Sequence, residues 1–493
     1  MMNRTSAMKP FAPILALAIA IVCAFVLGQR PFTTTVWAQA PDRNVPPKPG
    51  PVPSLKLPAI HKRTLSNGLP VWIVELHKVP VANVLLAVRA GSGSDPKDKF
   101  GLASLTAEML DEGAGARDAL QIADAVDYLG ASLSTSSSSD AASVELHVPV
   151  ARLGDAIPIM SDVALRPTFP EAELKRVREE VLTSILQAAD NPAALMQFAF
   201  PRLVYGNEHR YGTVSIGTAA SIKGFTIAEL KQFHASQYVP SNATLIVTGD
   251  VDATAVVAQL ETAFGKWKGG TAVPFSVRDA PQLTARKVYL IDKPGAPQSQ
   301  IRIGWIGVPR STPDYFALRV LNTVLGGAFT SRLNQNLREQ HGYAYGASSS
   351  FDMRGAAGPF YAAAGVQTDK TSEALTEFFK ELEGIRKPIP ADELEKAKNY
   401  VALLLPRSFE TTQSLAGSLA QMFIYNLPAN YFETFTEHIR SVTPADAQRV
   451  AERYIQPDKF AVVVVGDLKT IEPGIRKLNL GPITTVTIDE VMK

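Results

Sequence analysis

The sequence predicts an α+β fold in which one unit is written twice, and three observations predict it. First, Thr226-Ile-Ala-Glu-Leu-Lys-Gln-Phe233 runs through Pro240 to Ala-Thr-Leu-Ile-Val-Thr-Gly249-Asp250, and Thr443-Pro-Ala-Asp-Ala-Gln-Arg-Val450 runs through Pro457 to Ala-Val-Val-Val-Val-Gly466-Asp467. The pairs Thr226/Thr443, Pro240/Pro457, Gly249/Gly466 and Asp250/Asp467 are each 217 residues apart, and Pro80-x3-Val84-x-Leu86 returns at the same offset as Pro297-x3-Ile301-x-Ile303. Self-similarity at one fixed spacing marks a duplicated architecture. Second, strand-like and helix-like runs are grouped without strict alternation. That grouping places helices on one face of a mainly antiparallel sheet. Third, the 493 residues are 46% hydrophobic and 19% charged, which describes a chain that buries large cores and excludes a disordered or fibrous one.

The elements follow in order. Arg4 and Lys9 precede an apolar run from Phe11 to Leu27, and Ala38-Gln39-Ala40 resembles a small-residue cleavage site. Residues 1–40 therefore read as either a secretory signal peptide or an uncleaved membrane anchor. The body is expected to be exported, and periplasmic in a Gram-negative bacterium. The only cysteine, Cys23, lies in that run, so the body has no disulfide and no thiolate chemistry. Seven prolines between Pro41 and Pro58 predict an extended tether over 41–58. The first half, 59–264, carries strand candidates at 71–76, 84–89, 132–136, 144–150 and 244–248. The alternating run Val144-Glu-Leu-His-Val-Pro-Val suits a half-exposed antiparallel strand. Helix candidates are 102–112, 120–129, 171–189 and 228–236. Gly269-Gly270 and Pro274 mark 265–286 as an interdomain linker. The second half, 287–493, has helix candidates at 315–325, 331–340, 372–385, 391–405 and 444–454. Lys+Arg 49 against Asp+Glu 47 gives a net charge of +2 with no long basic run, so nucleic acid is set aside as a partner.

Several stretches resemble the insulinase/pitrilysin-type zinc peptidases, in particular their shorter bacterial, mitochondrial-processing-peptidase-like branch. They are Leu65-Ser-Asn-Gly-Leu-Pro-Val-Trp72, Gly101-Leu-Ala, Leu129-Gly-Ala-Ser, Asp190-Asn-Pro, Tyr238-Val-Pro-Ser-Asn-Ala-Thr, Ser331-Arg-Leu and Leu337-Arg-Glu-Gln-His-Gly-Tyr-Ala-Tyr345. The resemblance covers residues 60–480. It implies two homologous α+β halves, closing like a clamshell around a peptide chamber.

Active relatives carry His-x-x-Glu-His on the helix after Gly-Leu-Ala. Histidines four apart share a helix face and hold one zinc, while the glutamate takes a proton from metal-bound water. Here Ser104 stands at the first ligand position, Ala107 at the base and Glu108 at the second ligand, and the distal glutamate aligns with Ser184. The acidic residues Glu108, Asp111, Glu112 and Glu180 read as a solvated helix face. No metal site is expected in this chain.

The resemblance implies a surviving half-site in the second half. There an Arg and a Tyr seven residues apart bind the substrate backbone and stabilise an oxyanion, and Arg338 and Tyr345 match them; Tyr343 is a neighbouring decoy. A permanent cation and a phenol donor suit that role. Ser132, Leu133, Ser134 and Thr135 match the family's substrate-pairing edge strand, with Ser134-Thr135 where relatives place Asn-Ala. Pairing by main chain tolerates that change. His209, in Asn207-Glu-His-Arg-Tyr-Gly, reads as structural. The resulting expectation is one subunit of a heterodimeric exported metalloendopeptidase acting on peptides. A homologous His-x-x-Glu-His partner supplies the zinc, and this chain supplies Arg338 and Tyr345. The alternatives are a non-catalytic peptide-binding or scaffold protein, and an independent metallopeptidase with a non-standard site.

Overall fold

Alternating side chains in the strands point to opposite faces of a sheet, so each strand's pattern states what must cover it. The computed structural model describes residues 58–273 and 277–493. The expectations for 1–40 and 41–57 lie outside the described residues. Among the described residues no helix is long and apolar enough to cross a membrane.

The first half supplies strands β1 (His61–Thr64), β2 (Pro70–Glu75), β3 (Val81–Val88), β4 (Ser132–Ser137), β5 (Ala142–Pro149) and β6 (Ala243–Gly249). Its main helices are α1 (Leu102–Glu108), α2 (Ala119–Tyr128), α3 (Leu153–Leu165), α4 (Glu171–Asp190), α5 (Pro192–Tyr205), α6 (Ile227–Gln237) and α7 (Ala253–Phe264). The second half supplies β7 (Lys287–Asp292), β8 (Gln298–Ile306), β9 (Ala344–Phe351), β10 (Pro359–Gln367), β11 (Ala461–Gly466) and β12 (Ile483–Thr485). Its main helices are α8 (Tyr315–Asn322), α9 (Thr371–Gly384), α10 (Ala391–Leu404), α11 (Thr412–Ile424), α12 (Tyr431–Ser441), α13 (Pro444–Tyr454) and α14 (Leu468–Lys477).

The strand orders are β1-β2-β6-β3-β5-β4 and β9-β10-β8-β11-β7-β12. Read from the β4 and β9 edges, the two sheets match strand for strand up to the sixth. Adding 217 to the bounds of β2 yields those of β7, and adding it to α6 yields α13. The sixth strand breaks the repeat. β1 comes from the start of its half and pairs antiparallel with β2, whereas β12 comes from the end of its half and pairs parallel with β7. The α+β expectation holds, with mainly antiparallel sheets.

One expectation is corrected: helices cover both faces of the central strands. Ile73, Val84, Leu86, Leu245 and Val247 pack under helices of their own half, including Leu105, Met160 and Leu260. On the opposite face Val74, Leu85, Ala87 and Ile246 pack with Leu415, Ala416 and Leu419 of α11, which belongs to the second half. The relation is reciprocal. Leu195, Met196, Ala199 and Phe200 of α5 pack against Ile291, Ala461, Val463 and Val465 in the second sheet. This is why Ala243–Gly249 and Ala461–Gly466 are unbroken runs of buried residues.

Both exchanged helices begin with a side-chain cap. Asn191 Oδ1 accepts from the amides of Ala193 (2.9 Å) and Ala194 (3.1 Å), with Pro192 at the first helical position. Thr411 Oγ1 accepts from Ser414 N–H at 3.0 Å. The following residue ties α11 to the foreign sheet, because the Thr412 carbonyl accepts the buried Thr248 hydroxyl at 2.8 Å. Correspondingly, Lys293 Nζ reaches the Ala189 carbonyl at 3.1 Å, where α4 turns into α5.

Leu419 is 1% exposed inside this exchanged layer. Leu419→Ala is expected to cost about 2–5 kcal/mol, as for other buried leucine truncations. Because α11 covers the first sheet and α5 the second, the loss should appear in a single unfolding transition common to both halves. Urea unfolding followed by tryptophan fluorescence and circular dichroism checks this; two separated transitions would contradict it.

Candidate functional site

The helix that would carry the zinc ligands starts at a forced turn. Gly101 has φ of +102°, and a Cβ there would lie 2.6 Å from the Ile216 carbonyl oxygen, so glycine is required. The orphan amides beyond it are satisfied from a distance. Asp95 accepts from the Gly101 amide at 2.8 Å and the Ala103 amide at 2.7 Å, and pairs with Arg210 at 2.9 Å. Both side chains are buried. Arg210 also donates to the Ser92 and Thr213 carbonyls. Burial pushes the Asp95 carboxyl up to about 6, against the opposing pull of Arg210 and the two amides.

On α1 the would-be zinc positions are committed to other tasks. The buried Ser104 donates to the Ser215 carbonyl at 2.9 Å, and Ala107 is sealed in the core. Glu108 ends the helix, its carboxyl raised by burial and then by the nearby Glu180. Ser184 is exposed on α4 and donates to the Val181 carbonyl of its own helix at 2.8 Å.

The helix stops at Glu108 rather than reaching residue 112. Asp111 and Glu112 therefore leave the helix and share no face with Glu108. The acidic cluster is instead an ion-pair hub. Arg176 takes Glu112 at 2.5 Å, Glu173 at 2.7 Å and Glu180 at 2.9 Å. Those carboxylates, Glu112 foremost, hold the guanidinium above its ordinary range. Among the described residues no group of three or more His, Cys, Asp or Glu side chains is placed to hold a metal ion. Two serines spent on carbonyls, one alanine, one helix-end carboxylate and no imidazole do not fit zinc.

Arg338 and Tyr345 do come together. The guanidinium carbon lies 5.3 Å from the Tyr345 ring centre and 4.6 Å from that of Phe329. Two local irregularities bring this about. The segment expected as a helix over 331–340 is one short turn, Arg332–Asn334, followed by a π-helical turn, Gln335–Gln340, that bears Arg338. Wide turns of this kind recur at functional sites. In β9 the register with β10 slips between Ala344 and Ala347, so the strand bulges at Tyr345 and Gly346. A bulge re-aims a side chain. Tyr345 is left 87% exposed, whereas Tyr343 stacks on His341 at 4.9 Å and packs against the core. Asn334 ties the parts together, donating to the Phe329 carbonyl and accepting from the Ala347 amide.

Ser132, Leu133, Ser134 and Thr135 lie on β4, an edge strand that among the described residues pairs only with β5. Ser132 and Ser134 are exposed, Leu133 leans on the core, and Thr135 is half-buried. Among the described residues, no hydrogen bond, ion pair or ring contact joins these four to Arg338 or Tyr345. His209 is spent on structure, with Nδ1 accepting from the Tyr211 amide at 3.1 Å and Nε2 donating to the Arg278 carbonyl at 2.6 Å.

Comparison with known proteins decides the family. Residues 71–211 match "Insulinase (Peptidase family M16)", and residues 224–401 match "Peptidase M16 inactive domain". The chain belongs to the M16 peptidase family. Among M16 relatives, an uncharacterized zinc protease of Streptomyces coelicolor is 25% identical over 83% of this chain and 90% of its own. The non-peptidase homolog YmxG of Helicobacter pylori is 23% identical over 83% of this chain and 94% of its own. The crystal structure titled peptidase M16 inactive domain from Pseudomonas fluorescens superposes with a TM-score of 0.76 at 27% identity, covering 83% of this chain and 98% of that one. The first match lies within the first half, and the second runs from residue 224 in the first half across the junction to residue 401 in the second.

What the sequence reading of this M16 chain missed was the support: the Asp95–Arg210 pair, Phe329 under Arg338, and the bulge. The tripeptide Arg210-Tyr-Gly contained half of that signal, but its carboxylate lies 115 residues earlier. Asp95→Asn leaves Arg210 buried without a counter-charge and is expected to cost about 3–5 kcal/mol, measured by urea unfolding. For the metal, purified protein is expected to carry no stoichiometric zinc by elemental analysis, and a chelator should leave its unfolding midpoint unchanged.

Proposed function

We propose that this chain is the metal-free subunit of a two-chain exported peptidase that processes or degrades peptides. A homologous His-x-x-Glu-His chain supplies zinc and the proton acceptor; this chain supplies Arg338 and Tyr345. One observation carries the reading. The α1 positions are taken up by Ser104, bonded to a carbonyl, and by Ala107, buried in the core, while Arg338 and Tyr345 stand together with Tyr345 87% exposed.

The chemistry follows from the two side chains. A guanidinium keeps its charge at any working pH and offers paired donors to a peptide carbonyl, and a phenol adds a neutral donor beside it. Donors aimed where negative charge develops lower the barrier without reorganising. The β4 edge, with unpaired main chain on its outer side, can hold an extended peptide by strand addition.

Arg338→Ala combined with Tyr345→Phe in the reconstituted pair is expected to lower kcat/KM by about 10²–10³-fold, the usual loss for an oxyanion donor. Stability should change little, because Tyr345 is exposed and Arg338 partly so. A pair that keeps full activity sinks the assignment. A second reading, a scaffold or peptide-binding protein without catalysis, is favoured by the relative named a non-peptidase homolog. It predicts that no His-x-x-Glu-His chain co-purifies and that peptides bind uncut.

A further inference from the structure

A cavity of about 360 Å³ lies where the halves meet, and Arg302, Gln197, Phe200, Arg210, Arg354 and Tyr361 are among its lining residues. Two of its three arginines are charge-matched. Arg210 has Asp95 at 2.9 Å, and Arg354 Nε has Asp352 at 2.9 Å. Asp140, behind Tyr211, is taken by the Gly355 amide at 3.0 Å and the Tyr425 hydroxyl at 2.8 Å.

Arg302 is different. It projects from β8 toward α5, is 9% exposed, and forms no ion pair among the described residues. Among the described residues its Nη1 reaches only the neutral Gln197 Oε1 at 3.3 Å, and its Nε has no partner. Phe200 and Tyr361 lie on it, with ring centres 5.4 Å and 4.4 Å from the guanidinium carbon. Aromatic faces hold a guanidinium in place but do not neutralise it. A buried cation without a counter-ion is costly, and the deficit is removed by an anion from solvent. A cavity of this size admits a small molecule.

We propose that this cavity binds a compact oxyanion, a carboxylate or a phosphate, on Arg302, and that the bound anion bridges the two halves. Burial alone holds the Arg302 guanidinium below its usual range, so an arriving negative charge meets a cation that is poorly solvated. The ligand reaches it through the open side of the cavity, where Gln197 is solvent-exposed. This inference is independent of any peptidase role, since neither Arg338 nor Tyr345 lines the cavity.

The test is calorimetric titration of the full chain at constant ionic strength, set with sodium chloride. The probes are inorganic phosphate, succinate, and one short peptide as the free acid and as its C-terminal amide. Phosphate binding, or succinate and free-acid binding without amide binding, identifies the source of the anion. Arg302→Gln should weaken binding about tenfold or more, the usual worth of a charge-assisted hydrogen bond. Gln197→Glu keeps the arginine and gives it an internal carboxylate. That variant should lose the anion to a similar extent and unfold at a higher temperature in anion-free buffer. Failure of all probes to bind the parent chain at millimolar concentration overturns the proposal, as does undiminished binding by either variant.

Discussion

A central strand with apolar side chains on both faces needs two covers, and each half of this chain supplies only one for its own sheet. The second cover is α5 for the sheet of the second half and α11 for the sheet of the first. Everything else inherits its position from that exchange. Among the described residues β4 and β9 lie at sheet edges, away from the central strands that the exchanged helices cover. The cavity around Arg302 exists because α5 carries Gln197 and Phe200 across to the foreign sheet. Burying a leucine side chain contributes about 1.5–3 kcal/mol, so the few leucines of α11 alone outweigh any surface ion pair in the molecule.

The two ends of the candidate site illustrate opposite uses of polar groups. Around α1 three polar groups are each committed to a partner: Ser104 to a carbonyl, Asp95 to an arginine and two amides, Glu112 to Arg176. Groups so committed are not free to hold a metal ion. Around Arg338 the groups are held by their frame and left open at their tips. Asn334 and the π-helical turn set the backbone, while Tyr345 keeps its surface. A group held by its frame with a free tip is what a binding surface requires, because its ordering cost is met before the ligand arrives.

Much of this was readable from the residues. The 217-residue offset placed α13 and the β6/β11 pair correctly, because a glycine-aspartate turn after an apolar strand leaves a strong local mark. The family motifs led to Arg338 and Tyr345. The exchange itself was written in Ala461-Val-Val-Val-Val-Gly466, whose lack of alternation demands two covers, but a run of valines does not say which helix provides the second. The bulge at Tyr345 and the wide turn at Arg338 left no composition signal, since both arise from how β9 must meet Asn334 in three dimensions. Helix α3 was missed because Pro158 interrupts its pattern, although the chain remains helical around it. The Asp95–Arg210 pair was beyond reach because its members are far apart in sequence.

The traded helices also say something about ancestry. A single copy of the repeated unit would leave one face of its sheet bare. Two such copies, each lending its helix to the other, would close into a symmetric pair. The duplicated chain has the form of that pair with a covalent joint added. The joint lets the two copies diverge, and they have: the first half holds Ser104, Ala107 and Glu108 on α1, whereas the second carries Arg338 and Tyr345.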